Sequence, residues 1–345
     1  MAGHNELVLV VAAPDKLRGT ATAAEVAAAV RGVAAKAGWE CVEQPMADGG
    51  EGMLDVFGGP NRTTRVTGPL GEPVEAAWRL ESRLAVIEMA RASGLDLVGG
   101  PDANDPIAAS SAGTGELIAT ALELGARRIL VGLGGSATTD GGLGAQRAMY
   151  PLHRLRPVEL LVLCDVRTLF VDAAEVFAPQ KGASPAQVQL LKRRLERLAD
   201  VYLADHGVDV RDLEGSGAAG GLAGGLAAVG GTLIGGFEAV AEENGLVEAI
   251  EEADMVITAE GFLDDESFDG KVVGGVAELA AAAGVPCLAV VGEVLAGLDV
   301  AAAPGAGDLR AVSLVERFGP ERARDDALGC ISEVVTEALA TYRRR

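Results

Sequence analysis

Short apolar runs, each ended by a polar or glycine-rich turn, recur along the chain. Leu7 to Ala12, Cys41 to Gln44, Leu84 to Met89, Ile129 to Leu133, Val158 to Leu163, Val256 to Thr258, Cys287 to Val291 and Leu309 to Leu314 each read as a buried strand. Helical periodicity fills the spaces between them. Thr22 and Glu25 have capping-box spacing and predict a helix to about Lys36, which Gly38 ends. Thr114 is placed to cap a helix from about Gly115 to Leu124, with Gly125 after it. Ser184, Pro185 and Gln187 form a second capping box with proline at the first helical position, opening a helix to about Leu203. Further helices are expected over Val273 to Ala283 and Glu321 to Tyr342, while 58–73 and 146–157 read as turns and irregular chain. Strand, loop and helix in alternation are the mark of an α/β protein.

The stretch Arg128 to Gly144 is the centre of the pattern. A strand runs into Gly134 and Gly135, after which Ser136, Thr138, Thr139 and Asp140 stand among glycines. Such a loop lets backbone N–H groups approach an anion closely, with hydroxyls and a carboxylate for directional contacts. Taken alone it fits a tight sheet turn equally well. Comparable loops recur, however. Met46 to Gly52 sets Asp48 and Glu51 among glycines, and carboxylates beside flexible backbone suit a hydroxyl-bearing substrate or a magnesium ion. Asp165 ends an apolar strand, where open α/β sheets place ligand groups. Lys181 lies in a Pro/Gly loop, and the acidic stretch from Ala259 to Gly270 closes on Lys271.

Composition narrows the partners. The 345 residues suggest two α/β domains with a cleft, and at 49% apolar but only 3% aromatic the core must be Ala, Val and Leu. A net charge of −21 repels nucleic acid and anionic membrane surfaces. No run reaches the ~18 apolar residues of a membrane span, so the chain is expected to be cytoplasmic and to act on a small molecule. The four cysteines show no CxxC and the three histidines are scattered, which signals neither disulfides nor zinc. GSGAAG from Gly215 fits GxGxxG but follows no convincing strand, and it reads as a false dinucleotide signal. There is no GxxxxGK[ST] and no GxSxG. Carboxylates, hydroxyls, a few cations and many free N–H groups remain, and these are the parts that phosphoryl transfer uses.

Together these loops resemble the bacterial type I glycerate kinase family. The matching stretches are APDKLRGT from Ala13, MADGGEG from Met46, TGPLGEPV from Thr67, VIEMARASGL from Val86, GTGELIATALELGARRILVGLGGSATTDGG from Gly113, CDV from Cys164, VFAPQKGASP from Val176, GAAGGLAGGL from Gly217 and VITAEGFLD from Val256. Each is weak alone, and their order along nearly the whole chain makes them specific. The resemblance implies ATP-dependent phosphorylation of D-glycerate, usually at the 2-position, with Mg2+. It implies a Rossmann-like domain from residues 1–66 with 275–345 and an inserted α/β domain over 67–274, with the active-site cleft between them; it also leaves room for a homodimer.

Carried over residue by residue, the match places Asp15, Asp48, Glu51, Ser136, Thr138, Asp140, Asp165, Lys181, Glu260, Asp264 and Lys271 in the cleft; sorted by our reading of their chemistry, Asp140, Asp165 and Lys181 are candidate catalytic residues, the two aspartates also as magnesium ligands. Asp15, Arg18, Asp48, Glu51, Ser136 and Thr138 are candidates for the acid substrate. Gly134, Gly135, Glu260, Asp264 and Lys271 are candidates for nucleotide phosphates. Departures from the family pattern are Phe262 in place of an arginine, Glu266-Ser267 in place of Gln-Thr, Arg167-Thr168-Leu169 after CDV, and a shorter segment between Gly142 and Cys164. One cation fewer and one anion more in a polyanion site motivate an alternative reading, a divergent, weakly active or non-catalytic paralogue that binds a small hydroxy acid or a partner.

Overall fold

Thr22 and Glu25 form the reciprocal pair that their spacing predicts: Glu25 N donates to Thr22 Oγ1 (3.2 Å) and Thr22 N to Glu25 Oε2 (2.9 Å), opening the helix Ala23–Ala37. Gly38 ends that helix in the left-handed conformation, φ 77°. The computed structural model describes residues 8–17 and 19–342. The chain divides into two units, one up to Asp48 and again from Phe237, the other Gly49–Gly236. In chain order, β1 (Leu9–Ala12) and β2 (Glu40–Glu43) belong to the first unit. The second unit holds β3 (Arg62–Thr67), β4 (Pro73–Glu81), β5 (Leu84–Glu88), β6 (Arg128–Gly132), β7 (Glu159–Leu163) and β8 (Thr232–Ile234). The chain then returns to the first with β9 (Met255–Leu263), β10 (Cys287–Val294) and β11 (Leu309–Ser313). These boundaries differ from the expected ones. A crossing at 66/67 would cut β3, and one at 274/275 would cut the helix Val272–Ala283.

The first unit is built on a parallel sheet in the order β11-β10-β9-β1-β2. Its three central strands, β10, β9 and β1, carry the apolar runs because they are covered on both faces; Val10, Ile257 and Val290 lie in the core with Val26, Val30, Ile331 and Val335 of the flanking helices. The order reverses between β1 and β9. Chain leaving their carboxyl ends therefore diverges, leaving the crevice in which open α/β sheets bind ligands.

The second unit holds the sheet β3-β4-β5-β6-β7-β8, antiparallel from β3 to β5 and parallel from β5 to β8. Trp78, Ile87, Leu117, Ile129 and Leu222 are in its main core. A separate cluster of Phe170, Leu191, Leu195 and Tyr202 packs the helix Pro185–His206.

Several elements depart from the sequence expectation. The turn-rich reading of 58–73 misses β3, whose threonines and arginines are mostly exposed at the sheet edge. Thr114 does not cap its helix: Ala112–Glu123 starts after Ser111, and the buried Thr114 hydroxyl lies 2.8 Å from Ser93 Oγ. The C-terminal helix is two, Pro320–Asp325 and Ala327–Thr341, broken at Asp326. In Ala218–Ala228 the residues Ala219, Gly220 and Gly221 take left-handed φ. Close approach explains the glycine there, since a Cβ on Gly220 would sit 2.0 Å from Thr138 O. Among the described residues no helix is long and apolar enough to cross a membrane.

Candidate active site

In the second unit the loop after β6 is tied down by its backbone: Leu95 N donates to Gly135 O (2.8 Å) and Ala137 N to Ser93 O (3.0 Å). Lys181 enters this loop from a helical turn, Pro179–Lys181. Its Nζ donates to Ser136 Oγ (2.7 Å) and to Thr138 O (2.6 Å), and the residue is only 3% exposed. Burial lowers its pKa to about 7, against the opposing pull of the Asp140 charge. Asn104, which sequence reasoning missed, donates from Nδ2 to Ala137 O (3.0 Å) and Lys181 O (2.9 Å), joining both strands of the constellation. Asn104 Oδ1, Thr138 Oγ1 and Thr139 Oγ1 are buried without partners. A desolvated ammonium with a spare N–H, beside unpaired hydroxyls, is arranged for an anion with its own hydroxyl or oxygen acceptors. Gly134 backs onto the Gly50–Glu51 backbone, and Glu51 itself is exposed.

The two aspartates read as catalytic carboxylates are engaged in the frame. Asp140 Oδ2 accepts from Ser111 N (2.8 Å), Ser111 Oγ (2.9 Å) and Gly144 N (3.1 Å), and Oδ1 from Gly142 N (3.1 Å). Four donors make it the anchor of its loop, with little acceptor capacity left for a metal or a proton. Asp165 Oδ1 accepts from Gly236 N (2.8 Å). Glu88, missed by sequence reasoning, occupies an equivalent strand end at 3% exposure. It accepts from Gly52 N (3.0 Å) and Leu54 N (2.9 Å), holding the start of the helix Met53–Val56, and its other oxygen meets Arg91 Nε at 3.0 Å. Its signal was a glutamate ending an apolar run, the criterion that selected Asp165.

In the first unit the carboxyl ends of β1 and β9 bring Asp15 beside Glu260, with Asp15 N donating to Ala259 O (2.8 Å). Lys16, passed over in favour of Arg18, lies 3.5 Å from Asp15 and 4.0 Å from Asp48. Arg18 lies outside the described residues. Burial raises the Asp15 pKa, Lys16 opposes it, and Asp48 adds to it. Glu260 is raised further, to about 7, again chiefly by burial, and its Oε1 has no hydrogen-bond partner. Asp264 is a cap: it accepts from Ser267 N (3.0 Å) and Ser267 Oγ (3.2 Å). Lys271 pairs with Glu266 at 3.1 Å. Phe262, expected in a loop, is on β9 opposite Glu293 and 45% exposed.

Among the described residues no three His, Cys, Asp or Glu side chains gather as a metal centre. A magnesium ion needs fewer, because it keeps several waters and is held by one or two carboxylates together with substrate phosphates. Glu260, with an unpaired buried oxygen, and its neighbour Asp15 fit that requirement better than Asp140 does.

Glu260 also has a testable effect on stability. With its folded pKa raised from 4.5 to about 7, the folded chain holds a proton that the unfolded chain has released across that window, so stability falls as pH rises and the full penalty is present above about 7. Glu260→Gln should therefore stabilise the protein by roughly 2 to 3 kcal/mol at pH 8 and much less at pH 5. Urea unfolding at both pH values checks this, and an equal effect at both would refute it.

Comparison with known proteins gives a consistent result. The sequence model of the Glycerate kinase family matches residues 10–150 and 151–342. Glycerate 2-kinase of Escherichia coli is 38% identical, covering 83% of this chain and 85% of that protein. An uncharacterised protein of Mycobacterium bovis is 39% identical over 94% of this chain and 90% of its own length. A crystal structure from Salmonella typhimurium LT2, assigned as glycerate kinase 2, superposes with a TM-score of 0.82 at 34% identity, covering 97% of this chain and 98% of that one. With family segments matched from β1 to the last helix and the same two-domain α/β architecture, this chain belongs to the glycerate kinase family.

Proposed function

We propose that the protein phosphorylates D-glycerate with ATP and Mg2+, giving 2-phosphoglycerate and ADP. The observation that carries this reading is Lys181, an ammonium buried against Ser136 and Thr138 with unpaired hydroxyls around it. The names of the Escherichia coli, Bacillus subtilis and Halalkalibacterium halodurans relatives, each a glycerate kinase, support it.

In this reading the second unit's loop receives an anionic group, Lys181 supplying charge, the N–H groups around Gly134 and Gly135 supplying donors, and Ser136 and Thr138 orienting it. The first unit's crevice, taken by itself, offers carboxylates suited to a hard cation. Asp15 and Glu260 are those carboxylates, with Lys16 3.5 Å from Asp15 and 4.0 Å from Asp48. Magnesium, when bound by Asp15 and Glu260, supplies neutralisation of phosphate charge. The transfer itself balances simply: the glycerate hydroxyl oxygen bonds to the γ-phosphorus as the bond to the β–γ bridging oxygen breaks, ADP leaves, and the hydroxyl proton passes to a carboxylate. Asp140 acts in this scheme by holding the loop, not by touching the reacting atoms.

A coupled ADP-release assay tests the proposal, with phosphorus NMR of the product to distinguish the 2- from the 3-phosphate. ADP release should require D-glycerate and Mg2+ together. No ADP and no phosphorylated product across a panel of hydroxy acids would overturn the activity, and a 3-phosphate would overturn the regiochemistry alone.

A further inference from the structure

The loops that leave the carboxyl ends of β5, β6 and β7 carry few cations. Between β5 and the helix Ala112–Glu123, between β6 and the helix Leu143–Ala148, and between β7 and the helix Pro185–His206, the basic residues are Arg91, Arg167 and Lys181. Arg167 pairs with Glu214 at 3.3 Å, and Lys181 is buried with its ammonium on Ser136 and Thr138. Arg91 takes no part in the proposed transfer, yet it is the most firmly aimed of the three that reach solvent or loop.

Arg91 lies in the helical turn Ala90–Ser93, just past the end of β5. Its Nε donates to Glu88 Oε2 (3.0 Å), and Glu88 is itself fixed, because its other oxygen accepts from Gly52 N and Leu54 N. A flexible side chain is thereby held by one edge of its guanidinium on a carboxylate that is 3% exposed. The Arg91 side chain is 49% exposed, and among the described residues its two Nη groups meet no acceptor. Those two groups form the end of a planar fork that matches the two oxygens of a carboxylate. The segment around Arg91 is also bonded to the loop that holds Ser136 and Thr138. Glu88 is the register partner of Gly132, Ala137 N donates to Ser93 O (3.0 Å), and Leu95 N donates to Gly135 O (2.8 Å).

We propose that Arg91 binds the carboxylate of the acid substrate through its two Nη groups, with Glu88 as the positioning residue that aims the guanidinium. The inference rests on the reading of this protein as a kinase of a small hydroxy acid, and it gives recognition of the acid to a residue other than Lys181. An ammonium is a point charge that takes any anion, whereas a fork fixed at one edge favours a planar carboxylate.

Isothermal titration of the full chain with D-glycerate, run beside the ADP-release assay, tests this, with D-glyceramide as a ligand of the same shape and no charge. The parent should bind D-glycerate at least about tenfold more tightly than the amide, as loss of a charge-assisted pair implies. Arg91→Met should weaken D-glycerate by about tenfold to a hundredfold, erase the preference over the amide, and raise KM for D-glycerate while KM for MgATP stays the same. Arg91→Lys, which keeps the charge and loses the fork, should fall between the two. Melting curves check that both variants fold, since Glu88 retains its two backbone donors. Unaltered affinity and KM for D-glycerate in Arg91→Met would overturn the proposal and leave Arg91 a strut for Glu88. A rise in KM confined to MgATP would also overturn it, by placing a nucleotide phosphate on the fork. No binding of D-glycerate by the parent would do the same. Binding that depends on Arg91 without ADP release would support this inference and overturn the kinase reading alone.

Discussion

Replacing Lys181 with methionine is expected to lower kcat/KM by about a hundredfold to a thousandfold, the usual loss when a preorganised charge or donor is removed from a dry site, without lowering the melting temperature near neutral pH. The two effects separate because the ammonium is held where water does not solvate it. Its pKa falls from 10.5 to about 7 in the folded chain, so between those values the unfolded chain binds a proton that the folded chain gives up. Stability from this group therefore rises with pH across that window, and the penalty is complete below about 7. The variant's advantage in melting temperature should be largest below pH 7 and shrink toward pH 10.5. Methionine keeps most of the aliphatic stem but strands Ser136 Oγ and Thr138 O, which offsets part of the gain. A variant that loses stability and activity in proportion would show that Lys181 is a structural strut and would remove the main support for the proposed chemistry.

The opposite division is expected for Asp140→Asn. The aspartate oxygens accept from Ser111, Gly142 and Gly144, and an amide can present an acceptor on only one side while its NH2 faces donors. Losing two of these charge-assisted bonds, at about 1.5 to 3 kcal/mol each, should lower the melting temperature by roughly 5 to 10 °C. Activity should fall mainly because the loop bearing Ser136 and Thr138 loses its anchor. A collapse in kcat with an unchanged melting curve would instead place Asp140 at the reacting atoms.

Where the sequence was legible, a local rule and the tertiary structure agreed. The capping boxes at Thr22 and Ser184 depend on residues three apart, and both form as spaced. The buried parallel strands were visible because burial on both faces leaves few polar positions. β3 was hidden by the reverse condition, an exposed edge that carries arginine and threonine. Thr114 failed as a cap because a tertiary partner, Ser93, was available to its hydroxyl.

In the candidate site the residue types were legible and their duties were not. A carboxylate in a glycine loop looks the same in sequence whether it faces four backbone and hydroxyl donors, as Asp140 does, or keeps an unpaired oxygen, as Glu260 does. Lys16 carries no signal in the sequence that separates it from Arg18, the other cation of the same turn. Asn104 carries no motif at all. Its importance appears only when two chain segments, 77 residues apart at Asn104 and Lys181, are seen sharing one amide.

The strand order of the first unit sets a timetable for a chain leaving the ribosome. β1 and β2 emerge early, but β9, on which β1 must pair, is made only after Gly49–Gly236 has been translated. At a synthesis rate of about 5 to 20 residues per second, β1 waits roughly ten seconds or longer with an unfilled edge. An open strand edge in a nascent chain invites pairing with a neighbour on the same polysome. The short length of β1 and β2, four residues each, limits that hazard.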